Sequence, residues 1–93
     1  MDILLIAGKL ALKIQAMIKQ LTLYSTSHCH LCELAHTYLL PLPVGFKLEV
    51  IDIADDEALL AQYGLRIPIV YQNDSKSELN WPFTQSDIVE FLK

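Results

Sequence analysis

Ninety-three residues make a single small domain, with 53% hydrophobic residues to build a core and 19% charged ones to solvate it. The formal charge of −4 argues against nucleic acid as a partner, because phosphate binding needs a basic face. Two cysteines are too few for a secreted disulfide scaffold, and no apolar run is long enough to span a bilayer.

Asp2 stands where a cationic leader would be, and no clean small-residue cleavage site follows. The chain therefore reads as cytoplasmic. Ile3, Ala7, Leu10, Ile14 and Ile18 recur at helical spacing, opposite Asp2, Lys9, Lys13 and Gln20, which makes 1–20 an amphipathic segment. Leu5 and Leu12 blur that face. Gly8 also allows a short strand over Ile3–Ile6 with a helix from Lys9. The expectation is helix beyond Gly8 that buries Leu10, Ile14 and Ile18 and is dispensable up to Met17.

The domain proper is expected over 21–93. Residues 21–25 form its first strand. A helix runs from about Cys29 to Leu40, where Pro41 and Pro43 stop it. Its apolar arc is Leu31, Leu34, Ala35, Tyr38 and Leu39, and His30, Glu33 and Thr37 make its polar stripe. Phe46–Ile53 is rich in Val, Ile and Leu and forms the second strand. Asp55, Asp56 and Glu57 open a second helix, with Leu59, Leu60 and Tyr63 on its apolar side and Gly64 at its end.

Pro68 stands at the mouth of a β-branched run, which suits the start of a third strand. Gln72–Ser77 is turn material, Glu78–Trp81 the returning strand, and Pro82 its end. Thr84 caps a last helix with Asp87 three residues on, and Ile88, Phe91 and Leu92 face the core. The first two strands, joined through a helix, should be parallel, and the last two should form an antiparallel hairpin. Helices should cover both faces of the sheet.

The chemistry concentrates in Ser27-His28-Cys29-His30-Leu31-Cys32, which holds both cysteines and two of the three histidines. Cys-x-x-Cys between a strand and a helix is a redox signature. The first cysteine meets the unpaired N–H groups and dipole of the helix start, which favour the reactive thiolate. The second lies one turn on, on nearly the same face, within reach of a disulfide. A charged imidazole at His28 or His30 would stabilise the Cys29 thiolate further. Two other readings use the same residues. His28, Cys29, His30, Cys32 and His36 are zinc-type ligands, although no second Cys/His pair closes a site, and an iron–sulfur site on Cys29 and Cys32 is a variant of that idea. The other is a redox-silent module that only holds a peptide.

Three features together resemble the thioredoxin fold, and within it the glutaredoxins and their bacterial glutaredoxin-like relatives, over about residues 20–93. They are Cys29-His30-Leu31-Cys32 after the first strand, Ile67-Pro68 opening the third, and the short ending after the hairpin. The resemblance implies an α/β domain with a four-stranded mixed sheet flanked by helices, plus the extra N-terminal segment. It implies that Cys29 is the nucleophile and Cys32 the resolving thiol, that the bond before Pro68 is cis, and that Ile67 and Pro68 shape a substrate groove. Arg66, His28 and His30 belong beside that groove.

The implied activity is thiol-disulfide exchange on protein or mixed disulfides by a monomer. No metal or bound cofactor is implied; glutathione or a thioredoxin-reductase-type system supplies electrons. His30-Leu31 replaces the Pro-Tyr usual in glutaredoxins, and no histidine directly precedes Cys32 as in protein disulfide isomerases. Trp81-Pro82-Phe83-Thr84 stands where glutaredoxins carry the Gly-Gly that meets glutathione, so glutathione is expected to bind weakly, through Thr84, Ser86 or Asp87 if at all.

Overall fold

A computed structural model of the chain describes residues 19–93. The expectations for the first 18 residues lie outside the described residues. Four strands and three helices alternate as β1 (Lys19–Ser25), α1 (His30–Leu39), β2 (Phe46–Asp52), α2 (Glu57–Tyr63), β3 (Ile69–Gln72), β4 (Ser77–Asn80) and α3 (Gln85–Phe91). The sheet order is β2-β1-β3-β4. β1 and β2 are parallel, and β1–β3 and β3–β4 are antiparallel. This is the mixed sheet that the resemblance implies.

Alternation along β1 divides the core in two. Leu21 and Leu23 face one way and pack with Val70 of β3, Ala35 and Leu39 of α1, and Phe83 and Ile88 at and within α3. On the opposite face Ile53, Tyr63 of α2 and Ile69 form a second, smaller cluster that Tyr24, Leu59 and Ile67 join. The two cores meet at β1 and β3. β2 is an edge strand and leaves Val50 about half exposed.

Several boundaries differ from the sequence reading. β1 begins at Lys19, two residues early, because Lys19 and Gln20 pair with Phe46 and Lys47 of β2. Gln72 belongs to β3 and Ser77 to β4 rather than to the turn, since Gln72 pairs with both Leu21 and Ser77. Asn80 pairs with Ile69, the first residue of β3, so the ladder ends there and Trp81 lies beyond it, with its ring edge-on to Phe83 at 5.0 Å. Leu31 is not part of the buried arc of α1. Cys32, Ala35 and Leu39 form the buried stripe, and Leu31, about 100° away around the helix, is 43% exposed.

The helix ends obey local chemistry. Asp56 caps α2 by accepting from the Leu59 N–H at 3.0 Å. Thr84 and Asp87 form a reciprocal capping box on α3, with Thr84 N–H to Asp87 Oδ2 at 2.8 Å and Asp87 N–H to Thr84 Oγ1 at 3.2 Å. Gly64 ends α2 with a right-handed φ of −52°, not the left-handed conformation usual for such glycines. It matters by its smallness: a Cβ there would come within 2.5 Å of the Leu60 carbonyl oxygen.

Leu21 is fully buried where β1 meets both neighbours, whereas Val89 is exposed on α3. Leu21→Ala should therefore cost about 2–5 kcal/mol in urea unfolding, and Val89→Ala should stay within about 0.5 kcal/mol of the wild type.

Candidate functional site

The cysteine loop is held by the strands that flank it. β1 ends at Ser25, whose carbonyl accepts from the Ile53 N–H at 2.9 Å just past β2. Ser27 Oγ donates to Asp52 Oδ2 at 3.2 Å, while Asp52 Oδ1 accepts from the Ala54 N–H at 2.9 Å. One carboxylate thus ties the cysteine loop to the loop after β2. His28 takes a left-handed φ of 57°, a region that histidine enters more readily than bulky or β-branched residues do. That turn delivers Cys29 in an extended conformation to the N-cap of α1.

The two cysteines share a disulfide with Cα atoms 5.2 Å apart. They differ in surroundings. Cys29 is half-buried, and its Sγ accepts from the Cys32 N–H at 3.2 Å, filling the capping role that Ser or Asp fills elsewhere. Cys32 lies inside the first turn and is 4% exposed. The sulfur at Cys29 therefore meets the helix N–H groups and dipole, and the sulfur at Cys32 meets the core.

A groove of about 580 Å³ is lined by Leu31, Leu65, Arg66, Ile67, Glu78, Asn80 and Trp81. Its apolar members come from three separated stretches, and Leu65 is fully exposed. Arg66 does not present a free cation to it. Its Nη2 donates to Glu78 Oε1 at 2.6 Å, and its guanidinium lies over the Tyr63 ring, 5.4 Å from the centroid. The Ile67–Pro68 peptide is cis, as is Trp81–Pro82, and Pro68 is fully buried just before β3.

Of the residues expected beside the groove, Arg66 and Ile67 line it. His28 instead lines a hollow of about 180 Å³ shared with both cysteines, Ser25, Ser27, Glu33, His36 and Val50. His30 is exposed, with Nδ1 4.0 Å from Glu33 Oε2. Among the described residues, no group of three or more His, Cys, Asp and Glu is arranged to hold a metal. Sequence reasoning missed the Asp52–Ser27 tether and the contributions of Leu31, Leu65 and Glu78. An acid at the end of an edge strand carries no signal until its partner loop is known.

The sequence matches the glutaredoxin-like domain family (DUF836) over residues 20–93. No curated protein is significantly similar. Among solved structures, the X-ray structure of XcR50, a structural genomics target from X. campestris, superposes with a TM-score of 0.70 at 38% identity, covering 77% of this chain and 93% of that one. The solution structure of the same protein gives a TM-score of 0.67 at 38% identity, with 77% and 90% covered. The solution structure of Ne2328 from Nitrosomonas europaea gives 0.62 at 32% identity, with 81% and 91% covered.

Behind the groove, Tyr63 stacks on Tyr24 with ring centroids 4.3 Å apart. Burial, then the neighbouring Tyr24 phenol and Glu78 carboxylate, push the Tyr63 hydroxyl up to about 12. An unfolded phenol ionises near about 10, so the folded state keeps a proton that the unfolded state loses between those values. Stability should be level below about pH 10 on this account and fall as pH rises towards 12. Urea unfolding at pH 9 and pH 11 should show that fall, and Tyr63→Phe should make it shallower; equal slopes would contradict the assignment.

Proposed function

The chain belongs to the glutaredoxin-like domain family, and on that premise we propose that it is a thiol-disulfide oxidoreductase in which Cys29 attacks and Cys32 resolves. The observation that carries this reading is the unequal placement of the pair, with Cys29 half-buried at a helix N-cap and Cys32 in the core one turn on. In the reduced protein the Cys29 thiolate attacks one sulfur of a substrate disulfide, forming a mixed disulfide and releasing the other sulfur as a thiolate. Cys32 then attacks Cys29 Sγ, the mixed disulfide breaks, and the second substrate sulfur leaves. Two electrons pass from the dithiol to the substrate, and the Cys29–Cys32 disulfide is the oxidised product. An external thiol or a thioredoxin-reductase-type system restores the dithiol, in a compartment such as the cytoplasm that keeps thiols reduced.

The groove favours protein disulfides over glutathione. Leu31, Leu65, Ile67 and Trp81 offer apolar surface to a peptide flanking the scissile bond. Glutathione brings carboxylates, and the groove's Arg66 is already paired with Glu78. Of Thr84, Ser86 and Asp87 after the hairpin, Thr84 and Asp87 are occupied with each other in the capping box.

Cys32→Ser should trap client proteins as mixed disulfides through Cys29, visible as reductant-sensitive adducts by mass spectrometry, while Cys29→Ser should trap none. Adducts on Cys32 in preference to Cys29 would reverse the roles, and no adducts with either variant would favour a redox-silent peptide-binding module. Calorimetric titration of the reduced protein with glutathione should show no saturable binding below millimolar concentrations. Micromolar binding would restore a glutathione-dependent reading.

A further inference from the structure

The resolving step has a proton to place. Cys32 must become a thiolate before it attacks, and it is 4% exposed. Among the described residues the buried polar side chains are Thr22, Ser25 and Gln72, so no buried carboxylate or amine stands ready to take that proton. The hollow on the β2 side of the cysteine pair does reach Cys32. At about 180 Å³ it has room for several waters, and although its wall is mostly apolar, Ser25, Thr26 and Ser27 supply polar partners for them.

Cys29, Cys32, Glu33 and His36 line this hollow, at the spacing i, i+3, i+4, i+7 that makes one stripe of a helix. Its titratable side chains other than the cysteines are His28 from the loop and Glu33 and His36 from α1. β1 contributes Leu23 and Ser25 and β2 contributes Val50, none of them titratable; Asp52 of β2 is taken up by Ser27 and Ala54. A carboxylate is a weaker base than an imidazole by about two pKa units, which makes Glu33 the poorer acceptor from a thiol. His28 sits on the Cys29 side of the loop. His36 stands one turn beyond Cys32, with its Cβ expected within about 5–6 Å.

We propose that His36 is the proton acceptor for the Cys32 thiol, directly or through one water, in the second half of the exchange. This rests on the oxidoreductase reading above. In the mixed disulfide, the Cys32 S–H proton passes to the His36 imidazole and the thiolate attacks Cys29 Sγ. The Cys29–Cys32 bond forms, the Cys29–substrate bond breaks, and the leaving thiolate takes the proton back from the imidazolium. The function of Cys29 as first nucleophile does not depend on His36.

Mixing the reduced full chain with one equivalent of 5,5′-dithiobis(2-nitrobenzoate) separates the two steps. Attack by Cys29 releases the first thionitrobenzoate in a concentration-dependent phase. Closure by Cys32 releases the second in a concentration-independent phase, which Cys32→Ser should lack. His36→Gln should leave the first phase unchanged and slow the second at least about tenfold at pH 7. It should also change the shape of the pH dependence of that phase, because no imidazole then takes the proton. Glu33→Gln should leave the second phase within about twofold. Added imidazole should restore the second phase in His36→Ala, which a merely structural role would not allow. An unchanged second phase in His36→Gln, equal slowing of both phases, or failure of imidazole rescue would each overturn the proposal. A wild-type protein that shows no second phase would instead overturn the oxidoreductase reading beneath it.

Discussion

The structure depends on β1. It is hydrogen-bonded on both sides, to β2 in parallel and to β3 in antiparallel register, and Leu21 and Leu23 place it under both α1 and α3. A strand so held has little freedom to slip, because a shift by one residue would send Leu21 and Leu23 to the opposite face and bring Thr22 and Tyr24 into the main core. The rigidity is passed on. Its last residue, Ser25, anchors Ile53, and Ser27 is pinned to Asp52 two residues later. The cysteine loop thus leaves a fixed point and closes on a second one.

A single four-residue motif acquires two chemical characters from this placement. Helix geometry puts Cys29 at the cap, where an N–H of the first turn points at its sulfur, and Cys32 one turn inward against the core. Neither character belongs to cysteine as such. The first is electrostatic, from orphan N–H groups and the helix dipole, and the second is desolvation. The same helix separates the surroundings. Leu31 turns to the groove with Ile67 and Trp81, while Cys32, Glu33 and His36 turn to the hollow by β2. Substrate contact and proton handling can then occupy opposite flanks of the sulfur pair.

The groove's character follows from a small polar cluster behind it. Glu78 of β4 engages Arg66, Arg66 covers the ring of Tyr63, and Tyr63 stacks on Tyr24 of β1. The ion pair is partly exposed, so its own stabilisation is small. Its larger consequence is to occupy the charge of Arg66 and leave Leu31, Leu65, Ile67 and Trp81 as the groove's apolar lining.

Much of this was legible along the chain because it is local. Apolar and β-branched runs marked the strands and 3.6-residue periodicity the helices, Thr84 and Asp87 announced their cap, and Cys29 and Cys32 stood at a strand-to-helix junction. The order of elements with Ile67-Pro68 in place was enough for the sheet and its parallel pair. What tertiary structure alone decided is pairing over distance. Lys19 and Gln20 read as the end of a helical segment until β2 lay beside them, and Gln72 read as turn until two neighbours claimed it. Leu31 read as core because helical periodicity cannot distinguish an apolar residue facing the sheet from one facing a groove. Asp52 and Glu78 carried no signal of their contacts, because Ser27 and Arg66 lie in loops that only the folded sheet brings to them, whereas His36 was already grouped with the cysteines by its spacing. Backbone propensity and patterning act within a few residues and are written in the chain, whereas a site is assembled from side chains that meet only when the sheet closes.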